Sequence, residues 1–280
     1  DPDAFAVGVH PAYEAHLATP PAQVAAFLSG EPTTLGTTAA ADLTGALREA
    51  LPDLTQTGAE SGAEPGRVAT RWLARGTHAG RTLGVEPTGR EVRLSGLRID
   101  RLADGLLAES WILFETWRLF GDADPAGTST PVTTLDRVAP TAVVTQLSAR
   151  AENEAVVREV VAEAWNRGNR EVLDRALADE ADVRSRDTYW TLVCTYRDAF
   201  SDLRVTVEDA VAEGDKVVLR LRLNGTHDGP LFGVAPTGER VAVDRMAIYH
   251  LDDGRIVETG VVEDTLGLLT QLGAGPGDVA

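Results

Sequence analysis

The sequence predicts an α+β fold written twice, and three observations carry that expectation. The segment Gly76-Thr-His-Ala-Gly-Arg-Thr-Leu-Gly-Val-Glu-Pro-Thr-Gly89 returns 149 positions later as Gly225-Thr-His-Asp-Gly-Pro-Leu-Phe-Gly-Val-Ala-Pro-Thr-Gly238. Self-similarity at a fixed spacing is the mark of a repeated architecture. The same offset, without a gap, pairs Pro52-Asp53-Leu54 with Ser201-Asp202-Leu203, Asp104-Gly105 with Asp253-Gly254, and Glu109 with Glu258. Within the more regular second half, helical periodicity comes first and strand alternation follows, the order of an α+β domain with its helices on one face of the sheet. Finally, Gly214-Asp215 and Asp252-Asp253-Gly254 supply the turn residues that join antiparallel strands into hairpins.

The elements follow in order. Glu154 to Trp165 reads as a helix, with Val157, Val160, Val161 and Ala164 on one stripe, and Asn166-Arg-Gly-Asn169 breaks it. Glu171 to Ala178 is a second helix. Asp187 to Phe200 is a third, with Trp190, Val193, Cys194 and Arg197 at helical spacing. Strands are expected at Arg204–Glu213, Lys216–Gly225, Glu239–Leu251 and Arg255–Asp264, and Thr265 to Leu272 closes as a short helix. The first half is expected to follow the same order, with Pro20-Pro21 starting its second helix and residues 29–38 irregular. Gly121 to Pro140, rich in Pro, Thr, Gly and Asp, reads as a linker long enough to let the two units pack as a fused dimer. The division is residues 1–120, linker 121–150, and residues 151–280.

Composition narrows the function. Each unit is large enough for its own core. A net charge of −17 argues against nucleic acid and anionic membranes as partners. No run approaches the ~20 apolar residues of a membrane helix. Cys194 is the only cysteine, which excludes an internal disulfide and points to a reducing, cytoplasmic location; at an apolar position it reads as a packing residue. No secretory leader is visible, although the chain starts at Asp1 without Met. No His, Cys or acid grouping has metal-ligand spacing, and no phosphate-binding glycine loop is present, so neither metal nor cofactor is expected.

An ordered set of motifs then carries a resemblance. Gly-Thr-His-x-Gly, Gly-Val-x-Pro-Thr-Gly, a strand ending at His250, Asp-Gly-Arg-Ile-Val-Glu258, Asp264, and the tail Leu-Leu-Thr-Gln-Leu-Gly273 together resemble the SnoaL-like polyketide cyclases. The second half matches almost end to end, including Trp165-Asn166-x-Gly168; the first matches from about Leu51 to Trp111. The resemblance implies the cone-shaped α+β barrel shared with nuclear transport factor 2, ketosteroid isomerase and scytalone dehydratase, here in tandem as a pseudo-dimer with about three helices on each curved, mostly antiparallel sheet. It implies ring closure of a polyketide by intramolecular aldol condensation without cofactor, with Asp264 as acid/base and His250 beside it. At the corresponding positions the first half carries Glu115 and Arg101, so the second half is expected to hold the site.

Strand alternation decides which side chains share the expected pocket. Asp244, Met246, Ile248 and His250 lie on one face of their strand, and Ile256, Glu258, Gly260, Val262 and Asp264 on one face of the next. These faces mix apolar residues with a few acids and a His, as a small-molecule cavity requires. The opposite faces, with Arg245, Tyr249 and Thr259, are assigned to solvent or sheet packing. Gly260 stands where the first half has Trp111, so the second cavity is expected to be wider; the alternative is a glycine easing a strand bend. Burial is expected to raise the Asp264 pKa toward that of a working base, while Asp264 also stands where an N-cap belongs. Trp190, Tyr196 and His227 complete the candidate substrate contacts; His227 and His78, common to both halves, also suit a turn-fixing role, and Glu258 pairing with Arg220 or Arg71. The expected ligand is a small, largely apolar, polyketide-like molecule. Two alternatives stay open: a polyether-type epoxide hydrolase/cyclase using Glu213 and Asp187, against which Thr38 stands at the Asp187 position of the first half, and a non-catalytic binding or scaffold protein.

Overall fold

The second half forms its elements where periodicity places them. In the computed structural model, which describes residues 8–17, 34–35, 45, 47–81, 86–115, 146–178 and 186–274, helix α1 (Gln146–Val160) runs into one π-helical turn at Val161–Asn166. The stripe Val157, Val160, Val161, Ala164 is buried. The wide turn closes through Asn169 N–H to the Glu163 carbonyl at 2.9 Å, and Gly168 at φ +70° ends it, a conformation that suits glycine. Helices α2 (Glu171–Ala176) and α3 (Arg186–Ala199) follow. Strands β7 (Arg204–Glu213), β8 (Lys216–Thr226), β9 (Arg240–Asp252) and β10 (Arg255–Glu263) then form an antiparallel sheet in the order β10-β9-β8-β7. Helix α4 (Thr265–Gln271) closes the unit. Asp253 and Gly254 both take positive φ, as do Asp104 and Gly105, so the repeated Asp-Gly is a repeated hairpin turn.

The first half repeats the meander as β3 (Thr55–Glu64), β4 (Arg67–Thr77), β5 (Glu91–Ala103) and β6 (Leu106–Phe114), but it does not repeat the order before it. Residues aligned with the second-half helix form strand β1 (Val9–Leu17), which pairs parallel with β6 and antiparallel with β2 (Thr34–Leu35). The reason is local. Pro11 occupies the position of Val160 and lacks the N–H a helix interior requires. Beyond it, Tyr13, Ala15 and Leu17 are buried while Ala12 and Glu14 are exposed, a period of two. The helix start at Pro20-Pro21, most of residues 29–38 and the linker at 121–140 lie outside the described residues.

The repeated glycine motifs serve the same structural purpose in both halves. Thr226 donates its N–H and hydroxyl to the Asp202 carboxylate at 2.6 and 2.9 Å, as Thr77 does to Asp53 at 2.6 and 2.7 Å. The N–H groups of Asp228 and Gly229 both donate to the Ala199 carbonyl, and those of Ala79 and Gly80 to Ala50, which ties the preceding helix end to the end of β8 or β4. His227, fully buried, has Nδ1 3.1 Å from the Thr237 hydroxyl, and His78 lies likewise against Thr88. Burial lowers the His227 pKa. His227 therefore fixes this loop and does not line the cavity described below; the sequence assignment to substrate contact is corrected.

The two sheets meet face to face. Ala69, Leu97, Ile99 and Leu113 of the first pack with Val211, Val218, Met246, Ile248 and Val262 of the second in one dry cluster. The contacts are reciprocal. Arg71 approaches Gly260, which has no side chain to exclude it, and pairs with Glu60 at 3.3 Å and Glu258 at 3.6 Å. Its repeat-mate Arg220 lies over the Trp111 ring, 5.1 Å from the centroid. Arg67 pairs with Asp209, and their mates Lys216 and Glu60 also attract one another.

Candidate active site in the second half

Register decides the site. Met246, Ile248 and His250 point at the first half, so the opposite face of β9 and β10 points at the helices. There, Trp165, Tyr189, Leu192, Arg245, Tyr249 and Thr259 enclose a cavity of about 10 Å³, with Val205, Leu221, Ala247 and Val261 completing its wall. That volume is room for about one water molecule.

A buried polar network backs this cavity. Arg245 and Glu263 are 2% and 2% exposed and sit opposite one another on β9 and β10. Arg245 Nε lies 3.1 Å from Glu263 Oε2, close enough for strong attraction, yet the N–H is not directed at the oxygen, and both atoms lack an in-line hydrogen bond. Arg245 Nη2 is a further buried donor without a partner. The Tyr196 hydroxyl donates to Glu263 Oε1. Trp165 and Tyr196 flank the guanidinium at 4.7 and 5.2 Å, a cation–π clamp. Trp165 Nε1–H donates to the Tyr189 hydroxyl at 3.1 Å. Burial works against the Arg245 charge, but the Glu263 carboxylate outweighs it and holds the pKa above its usual value. Burial, aided by Tyr189, pushes the Tyr249 phenol well up. The result is a guanidinium in the wall of an aromatic cavity with donors to spare for a ligand oxygen, backed by a carboxylate that lies behind the wall.

The equivalent positions of the first half do not carry this network. Gly96 stands at the Arg245 position, Phe114 at Glu263 and Leu47 at Tyr196. The Trp72 indole occupies the vacated space: a side chain on Gly96 would come within 2.2 Å of it, and Trp72 packs on Phe114 at 6.1 Å.

Several sequence assignments are corrected by this geometry. His250 does not converge with Asp264. Its Nε2 lies 3.0 Å from Glu60 Oε2 in the first half, and it pairs in register with Glu258. Asp264 sits beyond the other end of the same ladder, where its N–H donates to the Asp244 carbonyl. Six residues of strand separate Asp244 from His250, about 20 Å. Met246 and Ile248 belong to the dry inter-sheet cluster, and Glu258 and Gly260 receive Arg71. Gly260 therefore makes room for an arginine and does not widen the cavity. Burial would raise the Glu60 pKa, but the hydrogen bond and charge of His250, with Arg71, hold it below its usual value. Trp190 is half-buried against the core and outside the cavity wall. Tyr196 does join the site, through Glu263. Asp187 is largely exposed and pairs with Arg170, and Glu213 accepts from Ala63 N–H in the first half, so neither acid reaches the cavity. Missed by the sequence reading were Arg245, Glu263, Tyr249 and Thr259, all on the faces assigned to solvent or packing. Also unseen was a grouping of Glu14, His16 and Glu109 with ligand atoms within 4.8 Å, assembled by β1 pairing with β6; Arg101 already donates to Glu109, which disfavours a cation there.

Asp264 is the N-cap of α4, accepting from Gly267 N–H at 2.9 Å. A side chain at Gly267 would fall within 1.9 Å of the capping oxygen, which explains the glycine. Burial, then Asp244 and Glu263 nearby, raises its pKa to about 7. An unfolded aspartate titrates near about 3.9. Between those values the folded chain binds more protons than the unfolded one, so the contribution of Asp264 to stability is full below about pH 4 and is lost as pH rises toward 7. Asp264→Asn, which keeps the cap, is expected to flatten that decline in denaturant titrations across the window. Asp264→Ala is expected to cost about 1 kcal/mol through the lost cap.

With the fold and site in place, the kinship of the chain rests on one family model. The chain belongs to the SnoaL-like polyketide cyclase family, whose family model matches residues 23–121 and again 155–272, a tandem of two members. Similar solved structures include AclR from Streptomyces galilaeus, at 32% identity over 44% of this chain and 86% of that one, with TM-score 0.41. TsrD from Streptomyces laurentii shows 30% identity over 45% and 97%, with TM-score 0.42. IdmH from Streptomyces antibioticus shows 28% over 44% and 99%, with TM-score 0.40. No curated protein matches the chain. Among the described residues, no helix is long and apolar enough to cross a membrane.

Proposed function

We propose that the second half, residues 151–280, is a cofactor-free polyketide cyclase in natural-product synthesis, and that the first half, residues 1–120, completes a fused pseudo-dimer without chemistry of its own. The observation that carries this reading is the buried Arg245 with donors unsatisfied toward an aromatic cavity, a group the first half replaces by Gly96. A substrate carbonyl oxygen accepts from Arg245 Nη2. The Glu263 carboxylate takes the proton from the carbon beside that carbonyl, and the guanidinium holds the enolate oxygen. The enolate carbon bonds to a second carbonyl carbon of the same chain. The proton held by Glu263 passes through the Tyr196 hydroxyl to the new alkoxide, so the reaction is a net isomerisation. This assignment moves the acid/base role from Asp264 and His250 to Glu263 and Tyr196.

A carbon skeleton needs more room than one water, so binding displaces the aromatic lining, with Tyr189 and Leu192 of α3 the wall opposite the sheet. The limited space also favours the second reading, a small-molecule-binding protein that holds a ligand oxygen on Arg245 without turnover. The two separate on a linear poly-β-ketone ester followed by mass spectrometry. A cyclised, mass-conserving product formed by the wild type, at least about 100-fold slower with Glu263→Gln, supports the cyclase. Saturable binding without product supports the binding protein.

A further inference from the structure

A second cavity lies between the halves, of about 30 Å³, larger than the space beside Arg245. Its floor is Trp111 of β6, with His16 of β1 stacked on it at 5.2 Å and Arg220 of β8 lying over the ring at 5.1 Å. Asp244, Met246 and Leu113 close it. The repeat supplies a built-in control for what belongs there. Arg71, the mate of Arg220, is held by two carboxylates, Glu60 and Glu258. At Arg220 both equivalent acids are engaged elsewhere. Asp209 is taken by Arg67, and Glu109 by Arg101 and His16. Arg220 consequently has no ion-pair partner among the described residues, and its Nε is buried without a hydrogen bond. Asp244, also in the wall, forms its ion pair with Arg222 at 2.7 Å instead. Of the two fully charged residues in the cavity wall, Asp244 is compensated by Arg222 from outside the wall, and Arg220 is the one without an ion pair among the described residues.

We propose that this inter-half cavity is a binding site for a small carboxylate, which takes the place beside Arg220 that glutamate side chains take beside Arg71. The ligand carboxylate accepts from Arg220 Nε–H, and its small apolar end lies against Met246 and Leu113. The site is independent of the chemistry at Arg245 and stands whether or not that chemistry occurs.

Acetate is the probe. In a titration of the full chain at constant ionic strength, the Arg220 Nε–H cross-peak, identified by its loss in Arg220→Gln, is expected to shift saturably. Acetamide, of similar size but uncharged, is expected to bind at least tenfold more weakly, and chloride not to saturate. Trp111 fluorescence, identified against Trp111→Phe, is expected to report the same binding curve. Arg220→Lys, which keeps the charge, is expected to retain the response, weakened, and Arg220→Gln to lose it. Absence of saturation, equal binding of acetamide or chloride, or an undiminished fluorescence response in Arg220→Gln would overturn the site.

Discussion

Arg245→Met is expected to abolish the proposed cyclisation and to lower stability by about 3–5 kcal/mol. The stability loss comes less from the missing guanidinium than from what it leaves behind. Glu263 is 2% exposed, and once Arg245 is gone its charge has, among the described residues, only the Tyr196 hydroxyl as a hydrogen-bond partner. The second variant, Arg245→Met with Glu263→Leu, removes the stranded charge and is expected to recover most of the stability but none of the activity. Urea unfolding measures the first, product formation the second. If the single variant were as stable as the wild type, the ion pair would not be the organising contact of the interior. If it turned over normally, the oxygen-anchoring role of Arg245 would fall.

Gly229→Ala should be nearly as damaging to folding, by about 3 kcal/mol, without touching any group that handles substrate. A Cβ on Gly229 would lie 1.9 Å from the Asp198 carbonyl oxygen and 3.1 Å from Ala199 Cα. These are backbone atoms at the end of α3, so no side-chain rotation relieves the clash. The same contact recurs at Gly80, 2.1 Å from the Glu49 carbonyl oxygen, so Gly80→Ala tests whether the repeated motif has a repeated cost. Gly8, where a Cβ meets nothing within 4 Å, is the neutral comparison. An unchanged unfolding midpoint in Gly229→Ala would mean the helix end can retreat from the loop.

Much of the architecture was legible because its signals are local. The 149-residue repeat, the helix stripe from Val157 to Ala164 and the Asp-Gly hairpins are each written in neighbouring residues, and strands β7 to β10 fall within a residue or two of expectation. The candidate site was legible only in its pairing. Alternation correctly grouped Met246, Ile248 and His250, and separately Arg245, Tyr249 and Thr259, but it cannot say which set faces which way. A sheet with solvent on one side betrays its orientation through polarity. This one is covered on both sides, by helices and by the other sheet, so both faces of β9 are buried. The aliphatic face proved to be the dry contact between halves, and the face carrying Arg, Tyr and Thr proved to be the cavity. A buried arginine needs a carboxylate, so the pairing of Arg245 with Glu263 across the ladder was the available clue. Strand β1 escaped for a different reason: its partner β6 lies some ninety residues away, and only Pro11 hints that the helix of the second half cannot form there.

The reciprocal contacts of Arg71 and Arg220 have an evolutionary consequence. In a symmetric assembly of identical subunits, any replacement arrives at both ends of the axis at once and must suit both. Joining the two genes lifts that constraint. Gly260 can receive an arginine while its twin Trp111 is large, and Gly96 can lie under the Trp72 indole while its twin Arg245 carries a charge. Each half is thereby free to diverge against a partner that does not have to follow.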